Sequence, residues 1–331
     1  MIKTPAFSII IPVYNTEKYI ARCLESCVKQ SFGEIEIVVV DDCGSDQAIQ
    51  IAQEYAQGDK RIKIIRNPKN LGLFLARISG ERCAEGEYII HLDSDDFIDI
   101  KTCEKIKEAL ESEYQKSGSR ADICWFASKR LFSKKEEVFK LYNGVSLGCE
   151  ILKNNMFQWE IWGKAYKREL IQKANEIIAH KIKEEQRLLL GEDAIKSFVI
   201  NLLAQKCIGF DEVLYFYCDN PTSITKSRDN SQTALRNSAQ LDFVIKSLDR
   251  FDTLKESEKN PYYLEVKQRV QKILGEHQKM WEYQAFIANR FEKGWFVYPR
   301  VYLESLRLKR DYRRVGVRIF VYFLTGGFVK A

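Results

Sequence analysis

The chain has 331 residues, of which 45% are hydrophobic and 30% charged, with a net charge of +6; this balance excludes a disordered or fibrous chain and describes a soluble globular protein with ample core. No stretch approaches the roughly 18 apolar residues of a membrane span, and the early apolar run meets Pro12-Val13-Tyr14-Asn15 too soon for a secretory signal. Nine cysteines without a signal, and without a Cys-x-x-Cys pair that would suggest zinc, point to reduced thiols in the cytoplasm and to small core residues such as Cys23 and Cys27.

Residues 7–13 read as an apolar strand, and Thr16 as the cap of a helix over 17–30. A β-branched strand at 35–40 ends in Asp41-Asp42-Cys43-Gly44-Ser45-Asp46, where Gly44 and Ser45 shape the turn into a helix at 47–57. A short strand at 62–65, a helix through 75–83, a strand at 88–92 and a helix at 101–114 follow. Residues 121–126 read as another strand, 127–150 as a lid or hairpin, 191–202 as a helix and 211–217 as a strand. Alternation with short connections predicts right-handed βαβ units and a mostly parallel sheet flanked by helices. From 231 onward the pattern is helical and amphipathic, so the chain divides into an α/β domain over 1–228, with halves about 1–100 and about 101–228, and a helical extension over 229–331.

In such sheets ligands bind beyond the carboxyl ends of the strands. Residues 12–15, 41–46 and 93–96 all fall there. The run His91-Leu92-Asp93-Ser94-Asp95-Asp96 crowds three carboxylates into four positions. Hard oxygen ligands of this kind suit Mg²⁺ or Mn²⁺ and through it a diphosphate, while the plainer reading is one Asp capping the next helix. No glycine-rich phosphate loop is present to do that work instead. Trp159 and Trp162 suit either a core or a platform for a sugar ring, Lys164 either an acceptor contact or solvated surface, and His91 a satisfied core position.

The ordered set Pro12-Val13-Tyr14-Asn15, Val40-Asp41-Asp42-x-x-x-Asp46, Asn70-x-Gly72-x-x-x-Ala76-Arg77, Asp93-Ser94-Asp95-Asp96, Trp162-Gly163-Lys164 and Glu192-Asp193 resembles glycosyltransferase family 2 over about residues 6–225. That resemblance implies the GT-A nucleotide-sugar-binding fold and inverting transfer from a UDP-sugar with Mn²⁺ or Mg²⁺. It implies Pro12 and Tyr14 beside the uracil, Asp42 accepting from the base, Arg77 near the pyrophosphate, and Asp93 with Ser94 at the ribose or donor sugar. Asp95 and Asp96 are implied at the metal, Trp162, Lys164 and Glu192 at the acceptor, and Asp193 as the base. Within the family, Asp41-Asp42-Cys43-Gly44, residues 59–65 and the Trp-Gly-Lys motif resemble Campylobacter-type lipooligosaccharide outer-core β-1,3-galactosyltransferases. They imply a galactose donor and a glycolipid or oligosaccharide acceptor.

The charge is uneven. Residues 290–331 carry ten Lys or Arg against three acidic residues, a net +7 that leaves about −1 for the rest, and they interleave arginines with aromatics. Such a tail suits an anionic membrane surface at the cytoplasmic face of the inner membrane, or a solvated helical subdomain, or a homodimer contact. Nucleic acid is not an expected partner. The rival classes are an idle nucleotide-sugar-binding module and a nucleotidyltransferase, though the latter would be expected to carry an early glycine-rich basic loop.

Overall fold

The computed structural model describes residues 4–131, 137–139, 144–146, 160–182, 188–218, 220 and 231–292. In chain order the elements are β1 (Phe7–Val13), α1 (Ile20–Val28), β2 (Ile35–Asp41), α2 (Ala48–Gly58), β3 (Ile62–Arg66), α3 (Leu73–Cys83), β4 (Tyr88–His91), β5 (Phe97–Ile98), α4 (Thr102–Ser117), β6 (Ile123–Arg130), β7 (Glu137–Phe139), β8 (Gly144–Ser146), β9 (Lys164–Lys167), α5 (Arg168–Lys181), α6 (Glu192–Leu203), β10 (Cys207–Tyr217), α7 (Ser231–Leu248), α8 (Lys255–Lys259) and α9 (Tyr263–Glu292).

One sheet runs β3-β2-β1-β4-β9-β6-β10-β5, with β7 on β6 and β8 on β10. The first four strands are parallel, as β-branched runs joined by crossover helices require. Beyond them the sheet is mixed. β9 lies antiparallel to both β4 and β6, and β5 antiparallel to β10. The reversal follows Gly163, whose φ of 72° lies in the left-handed region where a side chain is strained. The β9–α5 unit, and the short β5, carry no run long enough to stand out in the sequence.

The sheet is covered on both faces. Ile9, Ile11 and Val13 of β1 point to α1, α2 and α4, while Ile10 points to α3 with Val38 and Val40 of β2. Gly80 of α3 lies on that second face, where a Cβ would stand 2.9 Å from Val40, so only glycine lets α3 approach so closely. α7 and α9 pack through Val244, Leu274 and Trp281 into the same cluster as Phe198 and Ile195 of α6, so the described C-terminal helices share the core under the α3–α6 face.

α1 begins at Ile20 rather than at Glu17, and Thr16 makes no side-chain cap. The backbone N–H of Glu17 instead donates to Asp46 (2.7 Å), and Glu17 Oε2 accepts from the N–H of Gln47 (3.2 Å). Residues 132–136, 140–143 and 147–150 of the expected lid, Trp159, residues 221–228 of the expected polar loop and the tail from 293 lie outside the described residues. Among the described residues no helix is long and apolar enough to cross a membrane.

Candidate active site

The carboxyl ends of β1, β2 and β4 bring three loops together. Asn15 adopts φ 55° and its Oδ1 accepts from the N–H of Ser45 (2.7 Å), tying the first loop to the second. A Cβ on Gly44 would stand 2.9 Å from the Asn15 backbone nitrogen, so this glycine is required by the close approach. Pro12 is buried below, and Tyr14 is 46% exposed above.

Asp42 is buried and holds the third loop. Its Oδ1 accepts from Asn67 Nδ2 (2.8 Å) and the N–H of Leu71 (2.9 Å), and its Oδ2 from the N–H of Gly72 (2.9 Å). Gly72 has φ 85° at the start of α3, a conformation that favours glycine. Asp42 is therefore the anchor that sets where α3 begins. One of the four lone-pair positions of its carboxylate is left for a further donor.

About one turn into the helix, α3 delivers Arg77, which is 2% exposed. Its Nη2 donates to Asp93 Oδ1 (2.7 Å), its Nη1 donates to Asp193 Oδ1, and Glu192 Oε1 stands 3.6 Å from Nη1. Burial alone pushes the guanidinium pKa down, but Asp193, Asp93 and Glu192 outweigh it and hold Arg77 charged. Arg77 thus joins the β4 strand-end loop to the start of α6, and spends on carboxylates the fork expected to meet a pyrophosphate.

The carboxylate run alternates. Asp93 and Asp95 are half-buried, whereas Ser94 and Asp96 are buried. Asp95 Oδ2 accepts from Asn220 Nδ2 (2.9 Å), and its backbone oxygen accepts from Arg22 Nη2 (2.7 Å). Burial and the adjacent Asp93 push the Asp95 carboxyl up, the state that a bound cation reverses. Asp96 has both oxygens engaged, by Tyr215 Oη (2.6 Å) and the N–H of Cys218 (2.7 Å). The structure therefore turns Asp96 into the protein, because Tyr215 of β10 and Cys218 just beyond that strand supply the donors. Among the described residues no three His, Cys, Asp or Glu side chains converge as a closed metal cage. An open site with one or two carboxylates suits an ion that takes its remaining ligands from phosphate and water.

Trp162 is half-buried and stacks on Tyr215, with centroids 4.7 Å apart and planes at 13°. Lys164 is buried, donates to the carbonyl oxygens of Glu160 and Trp162, and lies over the Trp125 ring at 4.3 Å. Burial pushes its pKa down to about 8. Lys164 holds the Trp-Gly-Lys turn from inside. Glu192 is also buried, behind Asp193, and burial reinforced by Asp193 pushes its carboxyl up to about 8. Asp193 is the more exposed of the two, at 22%. His91 is buried in the core beside Glu81, with Nε2 3.0 Å from Oε1, but contrary to expectation neither ring nitrogen makes a well-formed hydrogen bond among the described residues.

Asn67, Tyr215 and Asn220 were invisible to motif reading, because each acts through a partner distant in sequence. The repeated Asn in Asn67-Pro68-Lys69-Asn70 is the sole local hint.

Residues 8–142 match the family model described as Glycosyl transferase family 2. The chain carries a glycosyltransferase family 2 domain. The chain is 30% identical over 233 residues to the uncharacterized glycosyltransferase EpsJ of Bacillus subtilis, a match covering 67% of this chain and 63% of the relative. It is 31% identical over 237 residues to the putative glycosyltransferase EpsH of the same organism, covering 68% of this chain and 64% of the relative. The chain thus spans just under two thirds of the length of these relatives. Poly(ribitol-phosphate) beta-N-acetylglucosaminyltransferase TarS of Staphylococcus aureus is 39% identical over 107 residues, 29% of this chain and 17% of that protein. In three dimensions the chain is similar to S. aureus TarS 1–349 in complex with UDP, at TM-score 0.54 and 21% identity over 88% of this chain and 92% of that one. It is also similar to the mannosyltransferase PcManGT of Pyrobaculum calidifontis in complex with GDP-Man and Mn²⁺, at TM-score 0.53 and 13% identity over 98% and 88%. At these identities the structural likeness shows the fold, which is GT-A-like.

Proposed function

We propose that this chain transfers a hexose from a UDP donor to a bacterial surface glycan with inversion at the anomeric carbon. The observation that carries the reading is the bridge from Asp93 through Arg77 to Asp193, which places a fixed, partly exposed carboxylate across from the nucleotide-facing strand ends. Asp193 takes the proton of the acceptor hydroxyl as its oxygen bonds to the anomeric carbon. The bond from that carbon to the UDP oxygen breaks on the opposite side, and UDP leaves with the electron pair. An α-linked donor then gives a β-linked product with no covalent intermediate. Arg77 orients the base through its charged hydrogen bond; it is a positioning residue here.

Tyr14 and Pro12 are assigned to the uracil, Asp42 to a base contact through its remaining lone pair, and Asp93 with Ser94 to the ribose or donor sugar. Asp95 is assigned to Mn²⁺ or Mg²⁺, which its half-buried oxygen and crowded surroundings fit; Asp96, the second residue assigned to the metal, is held by Tyr215 and so stands behind it. A metal there would supply Lewis-acid stabilisation of the departing diphosphate. Trp162 is assigned to the acceptor ring, with Lys164 and Glu192 shaping that side from beneath.

Galactose follows from the resemblance of the 41–44, 59–65 and 162–164 motifs, and lipooligosaccharide outer core is the acceptor it points to. N-acetylglucosamine is the second reading, favoured by the likeness to TarS, whose structures hold UDP and UDP-GlcNAc. A glycolipid acceptor fits a peripheral position at the cytoplasmic face of the inner membrane, reached through the basic, aromatic 290–331 tail.

The test is UDP release from UDP-galactose, UDP-glucose and UDP-N-acetylglucosamine, with Mn²⁺ or chelator and a terminal-galactose glycolipid. Metal-dependent release with one donor is expected. UDP binding without release from any donor, across a panel of acceptors, would mark a binding module instead.

A further inference from the structure

The pairing of α3 with α6 continues behind the site. One turn beyond Arg77, Glu81 is fully buried and accepts from Lys196 Nζ, which stands one turn beyond Asp193 on α6. Asn175 of α5 donates to the same Glu81 oxygen at 2.8 Å, and His91 Nε2 faces the other at 3.0 Å. Along α3 the charges run positive then negative, and along α6 negative then positive. The two helices therefore fit in one register and one rotation, since sliding either one by a turn sets like charges together and turning either one parts the opposite charges.

A buried ion pair is a weak source of stability, because desolvation offsets most of the attraction, and an apolar pair of similar volume serves as well. Neither Glu81 nor Lys196 reaches the site, and both are 2% exposed or less. What an apolar pair lacks is direction. The facing side chains around them on α6 and α3, such as Ile195, Val199 and Ile78, are apolar and tolerate small rotations.

We propose that the Glu81–Lys196 pair is a positioning device that sets the rotation of α6 and so holds Asp193 against Arg77 in line with the acceptor. The inference rests on the reading of Asp193 as the base. Donor binding, which depends on the β1, β2 and β4 loops, is independent of the pair, whereas turnover depends on it.

The experiment compares Glu81→Gln/Lys196→Met with the wild type in UDP affinity by calorimetry, in thermal midpoint, and in kcat and KM with UDP-galactose and UDP-N-acetylglucosamine. The expected result is a folded variant with unchanged UDP affinity and donor KM, and kcat lowered about 10- to 100-fold, the scale of a misplaced catalytic group. Lys196→Arg, which keeps the charge opposite Glu81, is expected to recover most of that loss. A folded double variant with wild-type kcat would overturn the proposal, as would an equal loss in Lys196→Arg. Should the double variant not fold, Glu81→Gln alone carries the same readout, because the amide keeps the volume of Glu81 while removing the charge that fixes Lys196. Failure of both to fold would assign the pair to stability and likewise overturn the proposal. Asp193→Asn run alongside separates the two readings. Wild-type turnover in Asp193→Asn removes the base, whereas its loss beside an unaffected pair variant removes only the positioning role.

Discussion

Arg77 and Asp193 lie 116 positions apart in the chain and meet in a charged hydrogen bond, with Asp93 on the other arm of the same guanidinium at 2.7 Å. One buried cation thus holds the donor-side loop and the start of α6 in a single constellation. A guanidinium suits this task because its planar fork serves two carboxylates at once and stays charged when buried.

Removing that cation leaves Glu192 buried and Asp93 and Asp193 half-buried with nothing between them. Arg77→Met is expected to destabilise the fold by about 3–5 kcal/mol, the usual cost of breaking a buried pair from one side. Arg77→Lys, which keeps a charge but has no fork, should recover part of the stability and little of the turnover. Urea unfolding of the three proteins checks this, and equal midpoints would contradict it.

Glu192 gives a pH signature. Its carboxyl is pushed up to about 8 in the folded protein, against an ordinary 4.5. Below the ordinary value both folded and unfolded chains hold the proton, and the group's full contribution is present. As pH rises from there toward 8, the unfolded chain sheds the proton first and stability falls. Glu192→Gln removes that loss, so the variant should gain on the wild type between pH 5 and pH 8 in urea midpoint. Parallel curves for the two proteins would count against the buried carboxyl.

Asp95 and Asp96 are adjacent and should behave differently. Asp96→Ala strands the hydroxyl of Tyr215 and the N–H of Cys218, at about 1–3 kcal/mol for each unsatisfied donor. Asp95→Ala is expected to cost little stability and to abolish the response of UDP release to Mn²⁺. A Mn²⁺ titration with a melting curve for each variant decides it. A metal response lost in Asp96→Ala and kept in Asp95→Ala would reverse the assignment.

The first four strands, their helices and all three strand-end loops were legible in the sequence, because buried parallel strands are long β-branched runs that end in polar residues. β9 was not, since Lys164-Ala165-Tyr166-Lys167 is short, carries lysines at both ends and pairs antiparallel through contacts remote in sequence. The candidate site residues stand out in the sequence as motifs, but their directions do not. Alternation along Asp93-Ser94-Asp95-Asp96 turns Asp96 inward, and β9 carries Lys164 beneath the turn, both consequences of tertiary packing. Glu81 and Lys196 look like ordinary helix-surface charges until α3 and α6 are brought together.

Gly44 tests the junction of the nucleotide loops. An added Cβ would stand 2.9 Å from the backbone nitrogen of Asn15 and 3.0 Å from its Oδ1, and backbone cannot move aside cheaply. Gly44→Ala is expected to cost about 1–3 kcal/mol of stability by overpacking and to weaken UDP binding measured by calorimetry. Unchanged UDP affinity would detach these loops from the nucleotide.

The most direct measurement is turnover and UDP affinity for Asp193→Asn and wild type, in parallel, with the donor that supports release. The account predicts UDP bound as tightly as by the wild type and kcat lowered by about 10²- to 10⁴-fold, the usual contribution of a general base. Turnover within a few-fold of the wild type would contradict Asp193 as the base, and with it the reading of Arg77 as the residue that aims it.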